Sequence, residues 1–266
     1  MYIVIMEQDE GKSYTFDDLS KVDFKEIIPE WGFTMTLLAP RSGGKTHLLN
    51  HLIYNINQQR KYTAVFLFSH TALVQQGSYG FIPTVNKFDD LEHLEEVLQL
   101  QEEQIARNKR KVKGKHIRST VLCILDDIIT DSEFRKNTAL QKIFVQGRHQ
   151  RDGKGSLTDC VILSQHFTAL SPLVRKNTDF ICMGRMDGYS DRKQLVESYL
   201  SITNSRKEAY LFLRSLNEVP YAFLIIWNTK SNKKHLTDYT FGIQAPAKIE
   251  KFKIGSKKAW KNNVAI

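Results

Sequence analysis

The run Thr34 to Asn50, TMTLLAPRSGGKTHLLN, carries a short apolar stretch into a glycine-bearing turn that ends on Gly44, Lys45 and Thr46. Backbone N–H groups in such a turn, and at the N-terminus of the helix that follows, point at phosphate oxygens, and the helix dipole adds positive potential there. Lys45 is expected to reach the β- and γ-phosphates of ATP, and the Thr46 hydroxyl to ligate the Mg2+ that accompanies them. Ala39 stands where the pattern G-x-x-x-x-G-K-[ST] has its first glycine, a departure of one methyl group. The nucleotide contacts expected from this turn are Ala39, Arg41, Ser42, Gly43, Gly44, Lys45, Thr46 and His47.

A second chemical element is Val121 to Asp127, VLCILDD, an apolar strand that ends abruptly in two acids. In a parallel sheet such a strand delivers Asp126 to the edge where the phosphate loop sits, within reach of the magnesium shell, and leaves Asp127 to orient or deprotonate the attacking water. The next apolar strand ends in Leu163, Ser164 and Gln165, and Gln165 is expected to sense the γ-phosphate. Between these strands lies QGRHQR, Gln146 to Arg151, on a segment that could reach an adjoining subunit. Arg148 is the candidate for an arginine finger acting in trans, because its fixed cationic fork suits the charge that develops on a transferred phosphoryl group. On residue type alone that role stays open, since arginines are common on surfaces. His149 and His166 have no partner at metal-ligand spacing and are read as structural.

At 266 residues with 41% hydrophobic content, the chain is long enough for one large α/β domain or one domain with an appendage. A formal charge of +9 suggests a polyanionic partner beyond the nucleotide. Cys123, Cys160 and Cys182 each sit in an apolar run without paired spacing, which reads as buried thiols in a reducing intracellular compartment. No apolar run has membrane-helix length, so a soluble protein is expected.

The elements that must position these residues alternate. A strand over Thr34–Leu38, a helix from about Thr46 to Gln58 and a strand over Ala64–Ser69 imply a parallel sheet. Leu91, Leu94, Val97, Leu98 and Ile105 mark a long amphipathic helix within Phe88–Lys111. It runs into RNKRKVKGKHIR, Arg107 to Arg118, a basic cluster suited to phosphates or to a solvated loop. Val121–Leu125, Cys160–Leu163 and Phe180–Met183 bring the sheet to at least five strands. Ala209–Leu213 and Tyr221–Trp227, around Asn217 and Pro220, read as an antiparallel hairpin extending one edge. Residues 1–31 read as an N-terminal extension packed beside the first core strand, 32–228 as the ATPase domain and 229–266 as a lysine-rich tail.

The order APRSGGKT, CILDD, GRH, ILSQ and LVRKNTD resembles the FtsK/HerA superfamily, and more narrowly the poxvirus-type genome-packaging ATPases of large double-stranded DNA viruses. The resemblance covers about Thr34 to Gly184. It implies an α/β fold with a RecA-like P-loop NTPase core, its mainly parallel central sheet flanked by helices. It further implies an oligomeric, ring-forming ATP hydrolase that threads double-stranded DNA into a capsid, with capsid or vertex proteins as partners. Such a protein works at the viral assembly site in the host cytoplasm or is carried in the virion. Under this resemblance Arg148 is favoured as the trans finger, with Arg151 and Arg175 as alternatives.

Two other functions compete on the residues. A P-loop nucleoside or nucleotide kinase could use Arg107 to Arg118 as a lid, although kinases seldom need a DD strand end followed by a sensor glutamine. A nucleotide-switched DNA-binding protein would need no motor. The stretch Asn228 to Ser231 does not supply the N-K-x-D guanine reader of a GTP switch.

Overall fold

The computed structural model describes residues 14–71, 77–110, 116–128, 137–200, 203 and 205–261. Lys111, Lys113 and Lys115 of the basic cluster lie outside the described residues, as do the first residues of the N-terminal extension and the last of the tail. The described elements are α1 (Phe24–Ile27), β1 (Thr34–Leu38), α2 (Lys45–Arg60), β2 (Ala64–Phe68), β3 (Lys87–Phe88), α3 (Glu92–Lys109), β4 (Thr120–Asp126) and α4 (Thr138–Gln146). After them come β5 (Leu157–Ser164), α5 (Pro172–Asn177), β6 (Phe180–Met183), α6 (Tyr189–Tyr199), α7 (Arg206–Glu218), β7 (Ala222–Trp227), β8 (Thr240–Gln244) and α8 (Lys257–Lys261).

The strands form one sheet in the order β3-β2-β4-β5-β1-β6-β7-β8. Strands β1 to β6 pair in parallel, and β7 pairs antiparallel with both β6 and β8. Every residue of β1, β2, β4 and β5 is buried. Continuous apolar strands of this kind need cover on both faces, which the helices provide. Alternation then sorts the side chains: Val121, Cys123 and Leu125 enter one core, Leu122 and Ile124 the other. All three cysteines are buried, and burial holds each thiol above its ordinary range.

Register decides where the chemistry falls. Leu38 pairs with Ser164, and Asp126 with Leu163, so the ends of β1, β5 and β4 lie level along one edge. Strand β5 runs between the strand of the phosphate loop and the strand of the two acids, which puts Gln165 between them.

Three expectations are corrected. Ala209–Leu213 is part of α7, because Ala209, Phe212, Leu213 and Leu216 are buried at helical spacing and the stretch holds no β-branched residue. Ser205 caps that helix, accepting from Glu208 N–H at 3.2 Å. The antiparallel hairpin exists, but its second strand is β8, drawn from the segment read as a tail. The N-terminal segment is only partly beside β1: Gly242 N–H donates to Ser20 O at 3.1 Å and the Phe16 N–H donates to Ser215 Oγ in α7 at 3.0 Å at the far edge, whereas Ile27 joins the core that holds Met35 and Leu37 of β1.

Candidate active site

The turn between β1 and α2 adopts the backbone that a phosphate loop requires. Ser42 and Gly44 have positive φ, 60° and 84°, and Gly44 directly precedes α2. A side chain on Gly44 would be strained by that φ, and its Cβ would meet the Tyr221 ring at 3.1 Å. Ala39 has no such demand: it does not have positive φ, and its buried methyl packs toward Gly184, which itself has no room for a Cβ against Phe223. The missing first glycine is thus accommodated by a glycine elsewhere. Arg41 and Ser42 are exposed at a cavity of about 510 Å³ shared with Arg185, Asp187 and Tyr221.

Lys45 is buried, and its Nζ donates to the loop carbonyls of Ala39 at 2.7 Å and Pro40 at 3.2 Å. Burial lowers its pKa, against the opposing fields of Asp127 and Asp126, which places the ammonium near both acids. Asp126 is buried too. Desolvation raises its carboxyl above the ordinary range, a hydrogen bond from Tyr79 and the charge of Lys45 pull it down, and Asp127 pushes it up.

Tyr79 is the residue that sequence reasoning missed. Its ring is fully buried, and its hydroxyl donates to Asp126 Oδ2 and also interacts with Thr46. One phenol therefore joins the hydroxyl and the carboxylate expected to share a metal ion. Nothing in the spacing of GSYGF marks it, because the contact is made by a turn far from either motif in sequence.

Asp127 turns out of the strand with φ 52°, a left-handed conformation that aspartate tolerates better than most residues. It is exposed, and Gln165 Nε2 donates to its Oδ2 at 3.2 Å. Lys45, Thr46, Asp126, Asp127 and Gln165 thus meet at one end of the sheet. A hydroxyl with a single carboxylate is a hard-oxygen pair of the kind that holds magnesium alongside waters and phosphate oxygens. Among the described residues no cluster of three His, Cys, Asp or Glu offers an all-protein metal cage.

The remaining expected residues lie elsewhere. His47 is exposed on the first turn of α2, with Nε2 2.7 Å from Pro246 O, so its ring faces the C-terminal segment. Arg148 sits at the opposite end of the sheet, ion-paired with the buried Asp179 at the start of β6. Asp179 also accepts from Thr34 N–H at 2.9 Å and Thr229 Oγ1 at 3.1 Å. Strand β1, roughly 13 Å long at 3.3 Å per residue, separates Arg148 from the phosphate loop of its own chain. Arg151 shares that end and lies over the Trp31 ring at 5.8 Å, whereas Arg175 lies over Phe167 at 5.2 Å.

A match to the family described as Poxvirus A32 protein spans residues 21–240. Among solved structures, the genome packaging NTPase B204 from Sulfolobus turreted icosahedral virus 2, in complex with AMPPCP, is similar. It is 16% identical over 76% of this chain and 94% of that chain, with a TM-score of 0.52. The pCW3 conjugation coupling protein TcpA, a monomer with ATPgS, is 11% identical over 85% of this chain and 69% of that chain, with a TM-score of 0.54. At such identities the likeness shows the fold. No curated protein matches the chain. With its phosphate loop and acidic strand end on the two strands that flank β5 in that fold, and a family match over most of its length, this chain belongs to the poxvirus A32 protein family and is a P-loop ATP hydrolase.

Proposed function

We propose that the chain is an ATP-driven translocase that moves double-stranded DNA into a viral capsid, working as a homo-oligomeric ring against capsid or vertex proteins. The observation that carries this reading is the meeting of Lys45, Thr46, Asp126, Asp127 and Gln165 at one sheet end in a chain of the A32 family. The similarity to a genome-packaging NTPase supports the choice of cargo, and so does the net positive charge.

In this mechanism the loop N–H groups and Lys45 hold the β- and γ-phosphates, so Lys45 exchanges its present carbonyl partners for phosphate oxygens. Thr46 and Asp126 would hold Mg2+, which would supply positive charge to offset that of the phosphates. Asp127 orients the attacking water and accepts its proton, and Gln165, bonded to Asp127, reports whether a γ-phosphate is present. Tyr221, 66% exposed beside Gly44 and held at φ 54°, offers a ring on which the base can stack. Among the described residues no helix is long and apolar enough to cross a membrane.

The test is ATP hydrolysis with and without long double-stranded DNA. Lys45→Ala should lower turnover by roughly 10²–10³-fold, the scale of losing one charge-stabilising group, with the fold retained. Stimulation of the wild type by DNA is the expected result. Hydrolysis indifferent to DNA but driven by a nucleoside or another phosphate acceptor would replace the translocase with a kinase.

A further inference from the structure

The C-terminal segment is no loose tail. From the end of β8, at one edge of the sheet, residues 245–261 cross the outer face of α2 toward the β3 edge. Pro246 O lies 2.7 Å from His47 Nε2, and Glu250 Oε2 accepts from Tyr54 OH at 2.6 Å. Phe252 stacks on Phe81 with centroids 4.8 Å apart and meets Tyr54 edge-on at 5.6 Å. Ile254 N–H donates to Phe81 O at 3.0 Å, Trp260 Nε1 donates back to Ile254 O at 3.0 Å, and Ile254 and Ala259 are buried.

Phe252, Ile254 and Ala259 turn inward, and the lysines turn outward. Lys248, Lys251, Lys253, Lys257, Lys258 and Lys261 are each exposed. The single acid of the run, Glu250, is turned onto Tyr54. Lys253 rests over the Trp260 ring at 4.6 Å, and the other five have no acidic partner among the described residues. Lys230 and Lys233 behave differently: they fold onto carbonyls and over the rings of Trp227 and Tyr239. Holding six like charges on ordered backbone is repulsive, and Glu250 is the one acid within the run to offset them.

We propose that this strap is the surface on which the DNA backbone docks. The inference rests on the translocase reading and locates its substrate. Lysine is a compact point charge without the base-reading fork of arginine, which suits contact with phosphates of any sequence. Residues 246–254 can span at most about 30 Å, the length of roughly nine base-pair steps. The same strap touches α2, which leaves the phosphate loop, and Phe81, close in sequence to the Tyr79 that holds Asp126. DNA seated on it therefore presses on elements of the ATP site.

The experiment measures binding of the full chain to a short random-sequence DNA duplex by fluorescence anisotropy over a series of salt concentrations. It compares the wild type with a variant carrying Lys→Gln at those six positions. A control carries Lys→Gln at Lys21, Lys25, Lys154, Lys176, Lys193 and Lys207. The strap variant should lose at least about tenfold in affinity, and its slope of log K against log salt should fall by up to about five, near 0.9 per phosphate contact. Its DNA-free ATP hydrolysis should match the wild type, which shows the fold is intact. An unchanged slope, or an equal loss in the control, overturns the strap as the docking surface while leaving the translocase reading in place. A wild type that hydrolyses ATP but binds no duplex at low salt overturns both.

Discussion

Tyr79 ties the two halves of the expected metal site together, and its hydroxyl does so without a charge of its own. Burial holds the phenol well above its ordinary range, and the Asp126 charge beside it adds to the effect, so it stays a donor at every working pH. The donated proton favours the ionised form of Asp126, which burial otherwise disfavours. Tyr79→Phe removes that donor and keeps the ring in its pocket. The Asp126 carboxyl should then climb further, and the acid limb of the pH–rate profile for ATP hydrolysis should move up by about one unit, the scale of one hydrogen bond to a charged group. The magnesium concentration for half-maximal activity should rise with it. A profile that keeps its acid limb would reduce Tyr79 to a packing residue.

At the scale of elements, the turn that starts β5 depends on Asp152. Its Oδ1 accepts from Lys154 N–H at 2.7 Å and Ser156 N–H at 3.0 Å, and its Oδ2 accepts from Asn108 Nδ2 at 2.8 Å, with His116 Nε2 at 2.9 Å. Burial pushes this carboxyl upward, but the donors from Ser156, Lys154 and His116 outweigh it and hold the group well below the ordinary range. A depressed carboxyl contributes stability that is complete above the unfolded value, about 3.9, and drains as pH falls below it. Asp152→Asn should cost about 2 kcal/mol at neutral pH, and acid unfolding should show that difference shrinking below pH 4. Such turns explain what the sequence could and could not reveal. The parallel strands were legible because continuous apolar runs buried on both faces leave no other solution, and register alone then aligns Asp126 with the loop. Strand β8 was hidden because TFGIQ mixes Thr240, Gly242 and Gln244 into what would otherwise be an apolar run, and α7 was mistaken because its apolar residues crowd into AYLFL. Tyr79 was illegible for a different reason: its role exists only once a turn packs against β4, and no local pattern encodes that contact.

At the scale of the whole molecule, the two ends of the sheet carry complementary parts. One end holds the phosphate loop and paired aspartates, and the other presents Arg148 and Arg151. A subunit cannot bring its own Arg148 to its own loop, so a catalytic part for that arginine requires a second subunit whose sheet end faces the first one's nucleotide. Arg148 also pairs with the buried Asp179, so Arg148→Ala alone is ambiguous: lost activity could follow from a buried carboxylate left without its cation. Complementation separates the two roles. A Lys45→Ala subunit keeps the arginine but cannot hold phosphate, and an Arg148→Ala subunit keeps the loop but lacks the arginine. Each should be nearly inactive in isolation, and mixing them should restore hydrolysis, because one kind of interface in the mixed assembly pairs an intact loop with an intact finger. Melting curves of Arg148→Ala check the structural role in the same samples. Activity that stays absent on mixing, with a melting temperature well below the wild type, would assign Arg148 to Asp179 and turn the search for the finger to Arg151, which shares its end of the sheet.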